Sequence, residues 1–138
     1  MSYQTTEDQG RWAANSKKRY GRTKQYYLEL IRTQEGRCAF SGVPLLFDPA
    51  LGTAKKGGAG CHALYAALDH TAAGCDDLGH GIVCYALNDI KGHLPHDCFV
   101  ALRETGAWQQ FMAKWRVQSE QDSLDTTAFY AIRHQRSA

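Results

Sequence analysis

The sequence predicts an α+β fold in which a β-hairpin and a strand–strand–helix core are flanked by N-terminal and C-terminal helices. Three observations carry that prediction. "CHALYAAL" and "GIVCY" are apolar runs of strand length on either side of a glycine-bearing connection, and a short helical segment follows the second run directly. "CAFSGVPLLF" sets apolar residues on both sides of Ser41-Gly42, a two-residue turn signal. Apolar side chains recur at helical spacing before these segments, at Tyr27, Leu30 and Ile31, and after them, at Trp108, Phe111, Met112 and Trp115.

With 138 residues, 43% hydrophobic and 22% charged, the chain is long enough for one core and has the composition of a globular domain rather than a disordered or fibrous one. Its organisation reads as a basic arm over 1–22, a domain over 23–118 and a weakly helical tail over 119–138. Thr23 caps a helix running through Arg32 to Glu35, and Gly36 stands where it should end. In the hairpin that follows, Pro44 removes a backbone donor and marks its arm as an edge strand. "DPALGTAKKGGAG" has no periodicity and is expected to be an exposed loop. The first core strand ends at Asp69-His70, "TAAGCDDLGH" connects, "GIVCY" forms the second strand, and a helix from about Ala86 to Lys91 stops at Gly92. Pro95 opens a further helix carrying Cys98, Phe99 and Leu102, Gly106 interrupts it, and the aromatic stripe from Trp108 to Trp115 is expected to pack into the core.

No apolar run approaches the ~20 residues of a membrane span, and "MSYQTTEDQGRW" lacks the apolar centre of a secretory signal, so no membrane partner and a cytoplasmic location are expected. Cys38, Cys61, Cys75, Cys84 and Cys98 are odd in number and irregular in spacing, which argues against a disulfide framework and for free thiols or metal ligands. The net charge of +2 says little, but its distribution says more. From Gln9 to Leu28 there is no acidic residue, while Lys17, Lys18, Arg19, Arg22 and Lys24 are interleaved with Tyr20, Tyr26 and Tyr27. That pattern suits phosphate contact with aromatic packing, and it equally describes a solvated basic arm.

The chemistry-bearing residues concentrate between Leu68 and Gly92. Adjacent residues at a strand end face opposite ways, so Asp69 and His70 can serve separate tasks. Carboxylate and carboxamide oxygens, from Asp69 and Asn88, are hard donors suited to Mg²⁺. An imidazole such as that of His70 can take a proton from water near neutral pH. A base for water and a cation for phosphate charge are what phosphodiester hydrolysis needs. Taken singly, each residue has a plainer reading: His70 as a loop hydrogen-bonder, Asn88 as a helix cap, His80 as a turn residue between glycines, Lys91 as a surface charge.

Together, "LDH…GHGIVCYALNDIKG" resembles the ββα-metal, or HNH (His-Me finger), endonucleases, in which such a pair ends the first strand and an Asn opens the helix. "HGIVCYALNDIKG" is also similar to the recombination endonuclease VII group, with Gly81, Ile82, Val83, Cys84, Asn88 and Gly92 in register with its Arg-Gly-apolar-apolar-Cys-x-x-Cys-Asn run and the Gly four residues on. "GRCAFSGVPL" resembles that group's first cysteine knuckle, and the likeness spans roughly 36–99.

The resemblance implies a DNA endonuclease with His70 as general base and a single Mg²⁺ or Mn²⁺ on Asp69 and Asn88. His80 would orient the base or contact phosphate, Lys91 would bind phosphate as a point charge, and His93 stands in reserve. Double-strand cutters of this kind often act as pairs, so a homodimer is compatible with it. The knuckles depart from the pattern: Ser41 and Leu87 stand where the second cysteines belong, leaving Cys38 and Cys84 as vestiges. Two thiolates are too few for a closed zinc site unless Cys61, His62, Cys75 or Cys98 completes it, so structural zinc is not expected. A nucleic-acid-binding module without catalysis and a small zinc scaffold are the alternatives.

Overall fold

The computed structural model describes residues 5–52, 61–70, 80–92 and 94–126. Two helices open the chain. α1 (Thr6–Tyr20) begins at Thr5, whose hydroxyl accepts from the Asp8 N–H at 3.1 Å, and has Glu7 and Asp8 in its first turn and Lys17, Lys18 and Arg19 in its last, both favourable to the helix dipole. Gly21, at φ +86°, supplies the left-handed residue that stops it. α2 (Lys24–Thr33) is capped by Thr23 as its sequence predicts, the hydroxyl accepting from the Tyr26 N–H at 3.1 Å.

The segment expected as a basic arm is therefore a helix with a buried face. Trp12, Ala13 and Ser16 are buried, and the Trp12 Nε1–H donates to the Ala66 carbonyl at 3.1 Å. The indole also meets Tyr27 and Phe47 edge-on, at ring-centre distances of 6.3 and 5.5 Å.

The expected hairpin is reduced to one bridge, Arg37 to Pro44, around a tight turn in which Gly42 takes φ +74°. The Cys38 and Leu45 N–H groups bond across the turn to the Val43 and Gly36 carbonyls, and Leu46 then makes a parallel bridge with Tyr65, its N–H donating to the Leu64 carbonyl at 2.9 Å. A 3-10 turn (Pro49–Leu51) follows. Two strands then pair antiparallel, β1 (Ala66–His70) with β2 (His80–Cys84), in a register that sets Asp69 opposite Gly81 and His70 opposite His80. β1 starts later than the apolar run suggests because 61–64 is used in a turn, with the Tyr65 N–H donating to the His62 carbonyl.

β2 passes directly into α3 (Tyr85–Lys91), which ends at Gly92, φ +45°. α4 (His96–Arg103) and α5 (Gly106–Leu124) complete the described chain, so the helix runs through the boundary expected at 118. The break expected at Gly106 is present: the preceding helix ends at Arg103 and α5 starts at Gly106, with Thr105 capping it by accepting from the Trp108 N–H at 3.2 Å. Of the aromatic stripe, Trp108 and Met112 join the core, but Phe111 is 46% exposed and stacks on Trp115, with ring centres 5.7 Å apart.

The architecture is α+β: a small two-stranded antiparallel sheet among helices, with the core built from α1, α2, the Val43–Phe47 segment, both strands, Leu87, Phe99 and α5. No described helix is long and apolar enough to cross a membrane.

Candidate active site and adjoining cleft

Asp69 and Lys91 form the centre of the region. Strand alternation and the register place the Asp69 carboxylate beside the last turn of α3, and Lys91 Nζ donates to its Oδ2 at 2.8 Å and its Oδ1 at 3.1 Å. Both residues are nearly closed off from solvent, at 7% and 5% exposure. The ammonium also lies 5.8 Å from the centre of the Phe40 ring and 5.9 Å from that of Phe99, and the Arg103 guanidinium approaches the same two rings at 4.9 and 5.8 Å. Ring faces offset part of the desolvation that a buried ammonium incurs, and the carboxylate offsets more. Lys91, expected at the surface as a phosphate contact, is instead an internal counter-ion, because its stem reaches back from the end of α3 to the only carboxylate of β1.

His70 and His80 are cross-strand partners at the end of the β1–β2 ladder where residues 71–79 join the strands. Their rings, and His93 altogether, lie outside the described residues. Asn88 stands one turn before Lys91 on α3 and faces a different neighbourhood, a cleft of about 440 Å³ bounded by α1, β1 and the start of α3. Lys18 and Arg19 line this cleft from α1, Tyr20 and Tyr65 contribute rings, and Tyr85 opens toward solvent. Burial pushes the Tyr65 phenol up to about 12, so it is a neutral donor at any physiological pH.

Of the cations expected to meet nucleic acid, then, Lys18 and Arg19 converge with Asn88. Lys17 and Lys24 are exposed elsewhere on α1 and α2, and the Arg22 guanidinium lies 5.3 Å from the Tyr26 ring centre.

The donor chemistry of Asp69 and Asn88 fits a hard cation, since both offer oxygen. The position such a cation would take on Asp69 is held by the Lys91 ammonium, which engages both carboxylate oxygens. Ammonium and metal carry the same sign, so a divalent ion on Asp69 requires Lys91 to withdraw. Among the described residues no three His, Cys, Asp or Glu side chains converge as a metal cluster.

The two knuckle cysteines, distant in sequence, do meet. Cys38 and Cys84 are both buried, and the Cys84 N–H donates to Cys38 Sγ at 3.4 Å. Hydrogen bonding from the Cys84 thiol draws the Cys38 pKa from 9.0 to about 6 against the opposing effect of burial, with help from the Ser41 hydroxyl and the backbone at Cys84 and Phe40. The Cys84 proton is correspondingly held, by that bond and by burial, and its pKa rises.

The folded pKa of Cys38 is lower than the unfolded one, so its contribution to stability is lost as the pH falls through about 6 and grows as the pH rises toward 9; above 9 the raised pKa of Cys84 acts the other way and stability declines again. Thiolate absorbance near 240 nm should therefore be present at pH 7.5, vanish below pH 6, and move to higher pH in Cys84→Ala. An unchanged titration in that variant would remove the thiol–thiol bond as its cause.

Sequence reasoning located Asp69, Asn88, Cys38 and Cys84 but missed the lining role of Tyr65 and Tyr85 and the pairing of Lys91. No local pattern signals either, because each depends on elements that meet only in three dimensions. No family model, no curated protein and no solved structure matches the chain significantly.

Proposed function

We propose that the chain is a metal-dependent DNA endonuclease of the ββα-metal type. The observation that carries the reading is the strand–strand–helix order, in which Asp69 and His70 end β1 and Asn88 lies on the helix that follows β2, next to a cleft walled by Lys18 and Arg19. In this reading His70 takes the proton of a water attacking phosphorus in line, and His80, its neighbour across the ladder, orients that imidazole or meets a phosphate oxygen. Lys18 and Arg19 hold the backbone of the strand by charge. Asp69, once Lys91 has withdrawn from its carboxylate, and Asn88, from the cleft side, would hold the divalent ion, which when bound would stabilise charge developing on the phosphoryl and leaving oxygens.

Incubating supercoiled plasmid with the protein tests this: nicked product should form with Mg²⁺ or Mn²⁺ and cease in EDTA. A second reading, a nucleic-acid-binding module that cuts nothing, is favoured by the Asp69–Lys91 pair, which already neutralises the carboxylate. Salt-sensitive DNA binding with no nicking in either metal would select it over the nuclease.

A further inference from the structure

We infer that the cleft between α1 and β1 receives a single unpaired nucleotide, so that the DNA bound here is single-stranded or carries an extruded base. The inference rests on the proposed DNA-binding role and adds the form of DNA to it.

The cleft's volume, about 440 Å³, falls among pockets that enclose small molecules rather than among shallow backbone grooves. Its walls divide by chemistry. Tyr20, Tyr65 and Tyr85 present rings, with the buried Trp12 indole behind them, while Lys18 and Arg19 present charge. No carboxylate occurs among its described lining residues, and neither Lys18 nor Arg19 has an ion-pair partner among the described residues.

An anion with a flat aromatic portion matches both walls at once. Duplex DNA offers phosphates and base edges, but its ring faces are covered by stacking, so tyrosines recessed in a half-open cleft gain little from it. An unpaired nucleotide offers one phosphate and two free ring faces, the combination by which single strands are held without sequence preference. Asn88 borders the same cleft, so a nucleotide seated there brings its backbone to the helix that the proposed reaction uses.

The orientation of the cationic wall follows from α1. Trp12, Ser16 and Arg19 recur at helical spacing, so the residues that bury the helix also turn the Arg19 end toward β1. The guanidinium lies 5.6 Å from the Tyr20 ring centre, so charge and ring stand side by side in the cleft wall.

The test measures binding of the full chain, in EDTA, to fluorescently labelled DNA in three forms: a single strand, a blunt duplex, and the same duplex with one unpaired nucleotide. The single strand and the interrupted duplex should each bind about 10-fold or more tightly than the blunt duplex, the loss expected when a base forfeits its aromatic partner. Tyr85→Ala should reduce that ratio to near one, and Tyr85→Phe should keep it; Tyr85 is 38% exposed, so neither change opens the core. 2-Aminopurine at the unpaired position should lose fluorescence on binding through stacking.

Equal affinity for all three forms, or a ratio that survives Tyr85→Ala, would overturn the inference. Binding in EDTA requires neither His70 nor a cation, so absence of plasmid nicking would sink the nuclease reading and leave this result standing. Nicking with no preference for unpaired DNA would do the reverse.

Discussion

Replacing His70 by alanine is expected to lower plasmid nicking by about 10²–10⁴-fold, the range a positioned general base supplies. The residue ends β1 opposite His80, so the substitution falls at the margin of the sheet, beyond the Ala66–Leu68 stretch that packs into the core. Circular dichroism and the urea midpoint should therefore stay close to wild type while the rate falls. The dependence on pH sharpens the test. Activity of the wild type should rise with pH and then level, since only the neutral ring accepts a proton. Whatever cleavage remains in His70→Ala should lack that rise. A variant that nicks at the wild-type rate would remove His70 from the reaction.

Lys91→Met carries the second large effect. Removing the ammonium leaves the Asp69 carboxylate buried against β1 with its main partner gone, and breaking one side of a buried pair destabilises by about 3–5 kcal/mol. Chemical denaturation should show the loss, and Lys91→Met with Asp69→Leu should recover most of it, because two apolar side chains no longer strand a charge. A loss below about 1 kcal/mol in the single variant would mean that water reaches the carboxylate and the pair is of the exposed kind.

The same variant separates the two functional readings. If Asp69 belongs to a metal site, Mg²⁺ should raise the midpoint of Lys91→Met well above its effect on wild type, since the ion no longer competes with the ammonium for the same oxygens. A midpoint indifferent to Mg²⁺ and Mn²⁺ would favour the binding module.

Much of the core was legible because its signals are local. Thr23 and Gly36 bracket α2, Gly92 ends α3, and the apolar run of β2 reads as a strand in isolation. α1 was not, since its inward face consists of one indole, an alanine and a serine among charged residues, too weak a stripe to distinguish from a solvated arm. The hairpin was over-read for the opposite reason: Ser41-Gly42 does turn the chain, and Cys38 and Leu45 bond across to Val43 and Gly36, but the next residue, Leu46, bridges to Tyr65 instead of continuing the ladder.

At the site, residue types were readable and partners were not. Asp69 and Lys91 are separated by 22 positions, and Cys38 and Cys84 by 46, so only the packed fold reveals that each pair is in contact.

The bond from the Trp12 indole to the Ala66 carbonyl reaches further than packing. It fastens the cationic helix to the very strand that carries Asp69, so folding itself fixes where those charges point. A ligand arriving at Lys18 and Arg19 meets a rigid rail rather than a loose brush of lysines. The backbone has little freedom left to surrender on association, only the rotamers of the exposed side chains, and encounter should proceed without a slow ordering phase.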